Sequence, residues 1–326
     1  MKTELILQQI QQRFPILTEQ ERRVNSLISH IDKTDPLREC YKAVMTNQVK
    51  YCEQSLEAGD TGQSITAEIA VKFLDNLKIL HEFMSVQPVQ TPVGDIYKLR
   101  TTFKEEGRMF LEIMKQQVLT STMKTSSRLE LIPTHEQIAD ERDELISQIG
   151  RDLAEEQLNH LMWDITCLAR KNPQFDETIF ITKGYDPNWL ICEINRRASD
   201  IARVTRRGYG NFVIVGQKVL DVLKQSDSFK SAGEDLSDAL IQYVGEANGI
   251  KAYLYKNAGD TILNGYCGAN NIDAGMCYSP YIPVMTAGPV VDPHTFQPIL
   301  TFATRYGIAV DNESAGYYNG ANVVFE

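Results

Sequence analysis

The chain of 326 residues lacks most of the marks that announce chemistry. Its six cysteines, Cys40, Cys52, Cys167, Cys192, Cys267 and Cys277, include no CxxC and no close Cys/His spacing. That excludes a zinc ribbon and a disulfide framework, and predicts reduced thiols in a cytosolic compartment. No apolar run approaches the roughly 20 residues of a membrane-spanning helix. The start, Met1-Lys2-Thr3-Glu4, carries an acid and is not a signal peptide. Lys and Arg number 33 against 43 Asp and Glu, a formal net charge of −10. Such a balance argues against a nucleic-acid grip, which needs cations in excess on one face.

Candidate sites are equally thin. Gly208-Tyr209-Gly210 beside Arg206 and Arg207 lacks a third glycine and follows a helix instead of opening one, so it reads as a helix stop and not a phosphate cradle. His135-Glu136 is followed by Ala139 where a zincin needs its second histidine. Glu156 and His160 share a helical face but have no second pair to complete a metal site, and a solvated or partner-facing pair is the better reading. Asp292-Pro293-His294 reads as a turn, because no serine or cysteine sits in a nucleophile elbow. We expect no catalytic residue, no metal and no cofactor.

What is present is a globular composition, 43% hydrophobic and 23% charged, enough for one elaborate domain or two ordinary ones. Residues 1 to 57 carry Leu5, Ile6, Ile10, Phe14, Val24, Leu27 and Ile28 at helical intervals, and Glu57-Ala58-Gly59-Asp60-Thr61-Gly62 reads as a linker. A second helix puts Ile69, Phe73, Leu77 and Leu80 on one face and is stopped by Gln87-Pro88 to Pro92. A hairpin signal follows: strand from Ile96 to Phe103, turn at 104–107, return from Arg108 to Val118, with helix still open for the Met- and Leu-rich return. Thr134 and Gln137 form a capping box for a helix over 134–171, roughly 55 Å long at 1.5 Å per residue, which Gly150 is placed to bend.

Beyond it the pattern becomes mixed. Strands are expected at 178–182, 211–216, 250–255, 263–268, 276–282, 296–306 and 322–325, with helices opening at Asp186-Pro187 and at Gln217. Arg196, Arg203 and Arg207 fall along one face of the first of these, a solvated face or an inter-subunit contact. Tyr278, Tyr281 and Phe296, set among prolines, are either core or aromatic anchors at an interface.

Several separate stretches, in the same order, carry a resemblance. They are Val86-Gln87-Pro88, Ala198-Ser199-Asp200-Ile201-Ala202-Arg203, Gly208-Tyr209-Gly210-Asn211-Phe212-Val213-Ile214, Ala269 to Pro283, Asp292 to Pro298 and Phe302 to Ile308. Together they resemble the major capsid (head) proteins of T-even-type tailed bacteriophages. That resemblance implies an α+β fold of the Hong Kong 97 type. Its parts would be a helical N-terminal segment 1–57, an N-arm 58–92, an E-loop 93–130, a P-domain spine within 131–177, an A-domain 178–305 and a return to the P-domain over 306–326. It also implies self-association into hexameric and pentameric capsomers of a virion shell assembled in host cytoplasm. Partners would extend to scaffold, portal, vertex and decoration proteins, with packaged DNA met only by non-specific proximity and no membrane.

Contact candidates under this reading are Arg100, Lys104, Glu105 and Arg108 on the E-loop, with Arg196, Arg203, Arg207, Tyr278, Tyr281 and Phe296 on the A-domain. The chain has no room for the insertion domain that relatives carry near the E-loop. Relatives lose a leading helical segment after a hydrophobic-x-Glu site. Leu56-Glu57 falls at the equivalent place and marks Glu57 as the candidate cleavage position, while Leu17-Thr18-Glu19 fits the pattern better but lies early. Residues 1–57 are expected to be retained, or captured before processing. The alternatives are an α/β enzyme with a helical regulatory front, or another phage structural protein such as a sheath or vertex protein.

Overall fold

A computed structural model describes residues 19–57, 63–103, 109–122, 129–131, 142–182, 186–233, 239–291, 294 and 298–325. The class is α+β, as expected. The capping box at Thr134, the contact candidates Lys104, Glu105, Arg108 and Phe296, and the periodic residues Leu5 to Phe14 lie outside the described residues.

Four helices form one side of the molecule: α1 (Glu19–Leu27), α2 (Arg38–Glu57), α3 (Gln63–Leu77) and the long α4 (Arg142–Arg170). The 29 residues of α4 span about 43 Å at 1.5 Å per residue. Its buried residues Ile146, Ile149, Leu153, Leu158, Met162 and Ile165 join Ile69, Phe73 and Leu77 of α3 in one core. Gly150 lies where the two helices touch. A Cβ there would stand 2.6 Å from Lys72 Cβ, 3.1 Å from Phe73 N and 3.2 Å from Ile69 O. The glycine therefore serves close helix approach and not the bend its sequence position invites.

The first sheet is built on a long antiparallel pair, β12 (Cys277–Val291) with β13 (Pro298–Ala309). Short strands flank it: β1 (Ser85–Val86) runs parallel to β12, while β4 (Ser121–Thr122) and β5 (Leu129–Leu131) pair with β13. β12 runs much further than the expected 276–282 because its prolines are absorbed by register breaks after Pro280, Ile282 and Ala287. A proline cannot donate to a ladder, and bulges are where sheets tolerate one. A separate two-stranded hairpin, β2 (Val93–Phe103) with β3 (Met109–Leu119), pairs over eleven residues a side. The Met- and Leu-rich return is strand, not helix.

The second sheet runs in the order β6-β14-β11-β7-β10-β9-β8, with β6 (Asp176–Ile181), β7 (Phe212–Val215), β8 (Phe229–Ser231), β9 (Ile241–Ala247), β10 (Ile250–Tyr255), β11 (Thr261–Gly265) and β14 (Tyr318–Phe325). Strand β7 shows why its sequence is apolar throughout. Phe212 and Ile214 face the core shared with α4, while Val213 and Val215 face a second core under α5 (Pro187–Thr205) and α6 (Gln217–Leu223). Successive strand side chains point to opposite faces, so a strand covered on both sides needs no polar alternation. The range 178–305 thus spans two sheets: β12 and β13 return to the α1–α4 side, and the last strand β14 inserts between β6 and β11.

Helix α5 begins as its sequence predicts. Asp186 caps it by accepting from Asn188 N–H, and Pro187 occupies the first turn. Its end differs. Arg206, not a glycine, takes the left-handed position at φ 54°, and its N–H bonds Ala202 O. Gly210 instead lets the chain pass close to the helix, where a Cβ would sit 3.1 Å from Ala198 Cα.

Alanine at an exposed helical glycine gains about 1 kcal/mol, but overpacking against fixed backbone costs roughly 1–3 kcal/mol. Gly150→Ala is expected to lower the free energy of unfolding by about 1–2 kcal/mol, read from a lowered midpoint in urea unfolding with an unchanged slope.

Candidate assembly surfaces

The β2–β3 hairpin projects two faces that differ in kind. Even-numbered residues face the body, where Ile96 and Val118 are buried with Val89, Cys277 and Ala309. Lys98 is also buried. Its Nζ donates to Gly275 O at 3.0 Å and Ser314 Oγ at 2.8 Å, and lies 2.9 Å from Asp311 Oδ2. Burial by itself raises the Asp311 carboxyl, but the Lys98 charge, with hydrogen bonds from Lys98, Ser314 and the Glu313 amide, outweighs it and holds the group below 3.8. Further along, Arg100 Nε donates to Glu313 Oε1 at 3.2 Å, both groups being exposed. The base of the hairpin is clamped by Gln87, whose amide donates to Tyr97 O at 2.6 Å and accepts from Tyr97 N–H at 2.8 Å.

Odd-numbered residues face outward, and they are the more apolar set. Val93, Tyr97, Leu111, Ile113 and Leu119 are all exposed, Leu111 by 54% and Ile113 by 64%. The ion pair of Lys115 Nζ with Asp95 Oδ2 at 2.7 Å interrupts them. Apolar alternation normally marks the buried face of a strand. Here it marks the face left open, a signal that was readable in the sequence once the register of the pair was known.

The arginines of α5 do not form one stripe. Arg196 and Arg203 are exposed and pair within the helix, Arg196 with Glu193 at 2.8 Å and Asp200 at 3.6 Å, Arg203 with Asp200 at 3.2 Å. Arg207 lies past the helix end, so helical spacing no longer applies to it. Its side chain is only 4% exposed, and its Nε is 3.8 Å from Asp273 Oδ1. Arg197, a neighbour in the same basic cluster of the sequence, is fully buried with Glu193 at 3.5 Å.

Tyr278 is core. Its ring packs on Tyr306 at 5.3 Å between centroids, and burial pushes its phenol well above the usual range. Tyr281 is half-buried beneath Arg305, whose guanidinium carbon stands 5.4 Å from the ring centre. In the 266–275 loop Asp273 accepts from Tyr266 Oη at 3.2 Å and Tyr317 Oη at 3.3 Å. Asn271 accepts from Val86 N–H at 2.9 Å and Ile272 O accepts from Leu99 N–H at 2.8 Å, so this glycine-bordered stretch holds β1 and the hairpin in place. His160 meets Tyr306 Oη at 3.2 Å, with Asp164 at 3.8 Å. Among the described residues no group of three ligand side chains is placed to hold a metal, and no helix is long and apolar enough to cross a membrane.

The model of the major capsid protein Gp23 family matches residues 108–324, two thirds of the chain. The chain belongs to this family. Among curated relatives, the major capsid protein of Enterobacteria phage T4 is 36% identical over 131 residues, which cover 37% of this chain and 25% of that protein. The major capsid protein of Vibrio phage KVP40 is 33% identical over 132 residues, covering 37% of this chain and 26% of its own length. The matched part therefore spans about a quarter of these relatives. Solved structures with similar folds include a virus-like particle from Pyrococcus furiosus, 8% identical with a TM-score of 0.48 over 80% of this chain and 98% of that one. The capsid of the cyanophage P-SCSP1u is 10% identical with a TM-score of 0.46, over 76% and 88%. Membership in a structural-protein family favours neither the enzyme nor the sheath alternative.

Removing Lys98 leaves a partly buried carboxylate without its cation, so Lys98→Met is expected to cost about 2–3 kcal/mol, the upper figure for a buried pair discounted for the exposure of Asp311. Because the Asp311 carboxyl is held below 3.8, its contribution is complete above that pH and is lost as pH falls through the lowered value. Asp311→Asn should flatten this acid limb of a stability–pH profile measured by thermal unfolding.

Proposed function

We propose that the chain is a shell-building subunit, a major capsid protein that self-associates into hexamers and pentamers forming an icosahedral or prolate phage head around DNA. The observation that carries this reading is the outward apolar face of the β2–β3 hairpin. An isolated two-stranded hairpin is marginally stable in water, and an exposed row of large apolar side chains marks a contact surface. Its eleven paired residues a side extend about 35 Å at the usual rise per strand residue, long enough to lie across a neighbouring subunit. Each such contact is modest, but closure into a shell multiplies them.

The parts of the Hong Kong 97-type arrangement follow from this reading. The hairpin is the E-loop, α4 is the spine, and β12–β13 with β1, β4 and β5 forms the P-domain sheet. The second sheet with α5 and α6 is the A-domain, converging with its copies around five- and six-fold axes. Exposed Arg196 and Arg203 on α5 are the side chains placed to meet acidic surface of an adjacent A-domain. Tyr278 and Arg207, enclosed within the subunit, are not. A net charge of −10 suits a wall that faces packaged DNA without gripping it. Assembly takes place in the host cytoplasm, where six free thiols stay reduced, and scaffold, portal, vertex and decoration proteins complete the particle.

The double variant Leu111→Glu/Ile113→Glu changes only exposed positions. It is expected to keep the circular dichroism spectrum and melting midpoint of the parent while abolishing shells and capsomer rings in negative-stain micrographs. Shells of normal yield from this variant would remove the hairpin from the contact.

A further inference from the structure

The sequence leads to the expectation that residues 1–57 form a leading segment that is retained, or captured before processing, and residues 19–57 of it are described. Their packing bears on that choice. Val24, Ile28, Tyr41, Val44, Met45 and Val49 lie in the same core as α3 and α4, none more than 4% exposed. The Tyr41 hydroxyl donates to Leu74 O at 2.6 Å, near the end of α3. The Arg38 guanidinium donates to the carbonyls of Ile28 and Ile31, tying the turn that follows α1 to α2.

The polar contacts are more telling. Strand β12 has β1 beside it only at Cys277 and Tyr278, extended by Val89 N–H to Pro280 O at 3.2 Å. Beyond that point helix α2 takes the place of a strand neighbour. Asn47 Nδ2 donates to Tyr281 O at 3.0 Å and to Val89 O at 2.7 Å. The Gln48 amide donates to Val284 O at 2.8 Å and accepts from Val284 N–H at 3.0 Å, the reciprocal pair a neighbouring strand would form. One turn on, Tyr51 Oη reaches Thr286 O at 3.4 Å. Positions 47, 48 and 51 share a helical face, and they meet the stretch where prolines break the register of β12. Without the helix, the Tyr281 carbonyl and both backbone groups of Val284 would lose these side-chain partners, and an unpaired buried backbone group costs free energy.

We propose that residues 19–57 are a permanent layer of the subunit which substitutes for a strand along β12, and that a nick after Glu57 does not release them. This inference does not depend on shell formation, and its test needs no assembly. In the full chain, residues 58–62 are replaced by a specific protease site, and the purified protein is cut and passed through gel filtration under native conditions. The fragment ending at Glu57 is expected to co-elute with the remainder. Its separation from a remainder that keeps its folded spectrum would overturn the proposal.

Hydrogen exchange on the uncut chain tests the clamp itself. Gln48→Ala is expected to speed exchange of the Val284 amide by about tenfold or more, and Gln54→Ala, at an exposed position of the same helix, to leave it unchanged. Should Gln48→Ala fail to fold, Gln48→Met serves, since it keeps the length of the side chain but loses both the acceptor for Val284 N–H and the donor to Val284 O. Unchanged protection at Val284 in the Gln48 variant would sink the strand-substitute role.

Discussion

The β12–β13 pair is the member on which the other layers depend, and its difficulty is proline. Pro280, Pro283 and Pro289 deprive β12 of donors along its length, so it cannot be closed on its outer edge by an ordinary strand. Each gap is met by a different device. β1 covers the first residues, the side-chain amides of α2 cover the broken middle, and β13 closes the opposite edge. From β13, Thr304 Oγ1 donates to Gln157 at 3.1 Å and Tyr306 reaches His160 at 3.2 Å, which lashes the pair to α4. Buried polar groups cost free energy unless paired. These bonds explain why helices with polar faces lie so deep in the molecule.

The hairpin applies the opposite arrangement. Its body-facing side is held by specific polar hooks, the Lys98–Asp311–Ser314 cluster and the Gln87 clamp, and its outer side is left apolar. Hooks of this kind fix direction, because a buried ammonium has few geometries in which all its donors are met. An outward apolar face contributes non-directional attraction to whatever covers it. A rigidly aimed, apolar arm is what a subunit needs if identical copies are to make the same weak contact many times.

Much of this was legible from local pattern. Helix α5 with its Asp186 cap, helix α6, strands β7 and β10, and the α3 face of Ile69, Phe73 and Leu77 follow from periodicity and turn chemistry. What failed did so where a distant neighbour decided. Gly150 looked like a hinge until α3 lay against it, and Gly208 and Gly210 looked like a helix stop until Arg206 took the left-handed turn. Arg207 seemed to share a face with Arg196 because helical spacing was extended past Thr205, where the helix ends. Tyr278, open between core and interface, proved to be core because Tyr306 comes to it from β13.

The amino-acid sequence by itself determined the class of the protein: α+β, without catalytic or metal spacing, and similar along most of its length to phage head proteins. Those properties rest on local periodicity and on ordered short motifs, which need no knowledge of what packs against what. Only the tertiary structure decided which face of the hairpin stays open and that the N-terminal helices pack into the core beside α3 and α4. Both are questions of pairing between residues far apart in the chain. Strand register sets the first, since a shift of one residue would exchange the two faces. The second turns on Asn47 and Gln48 meeting carbonyls more than two hundred residues away.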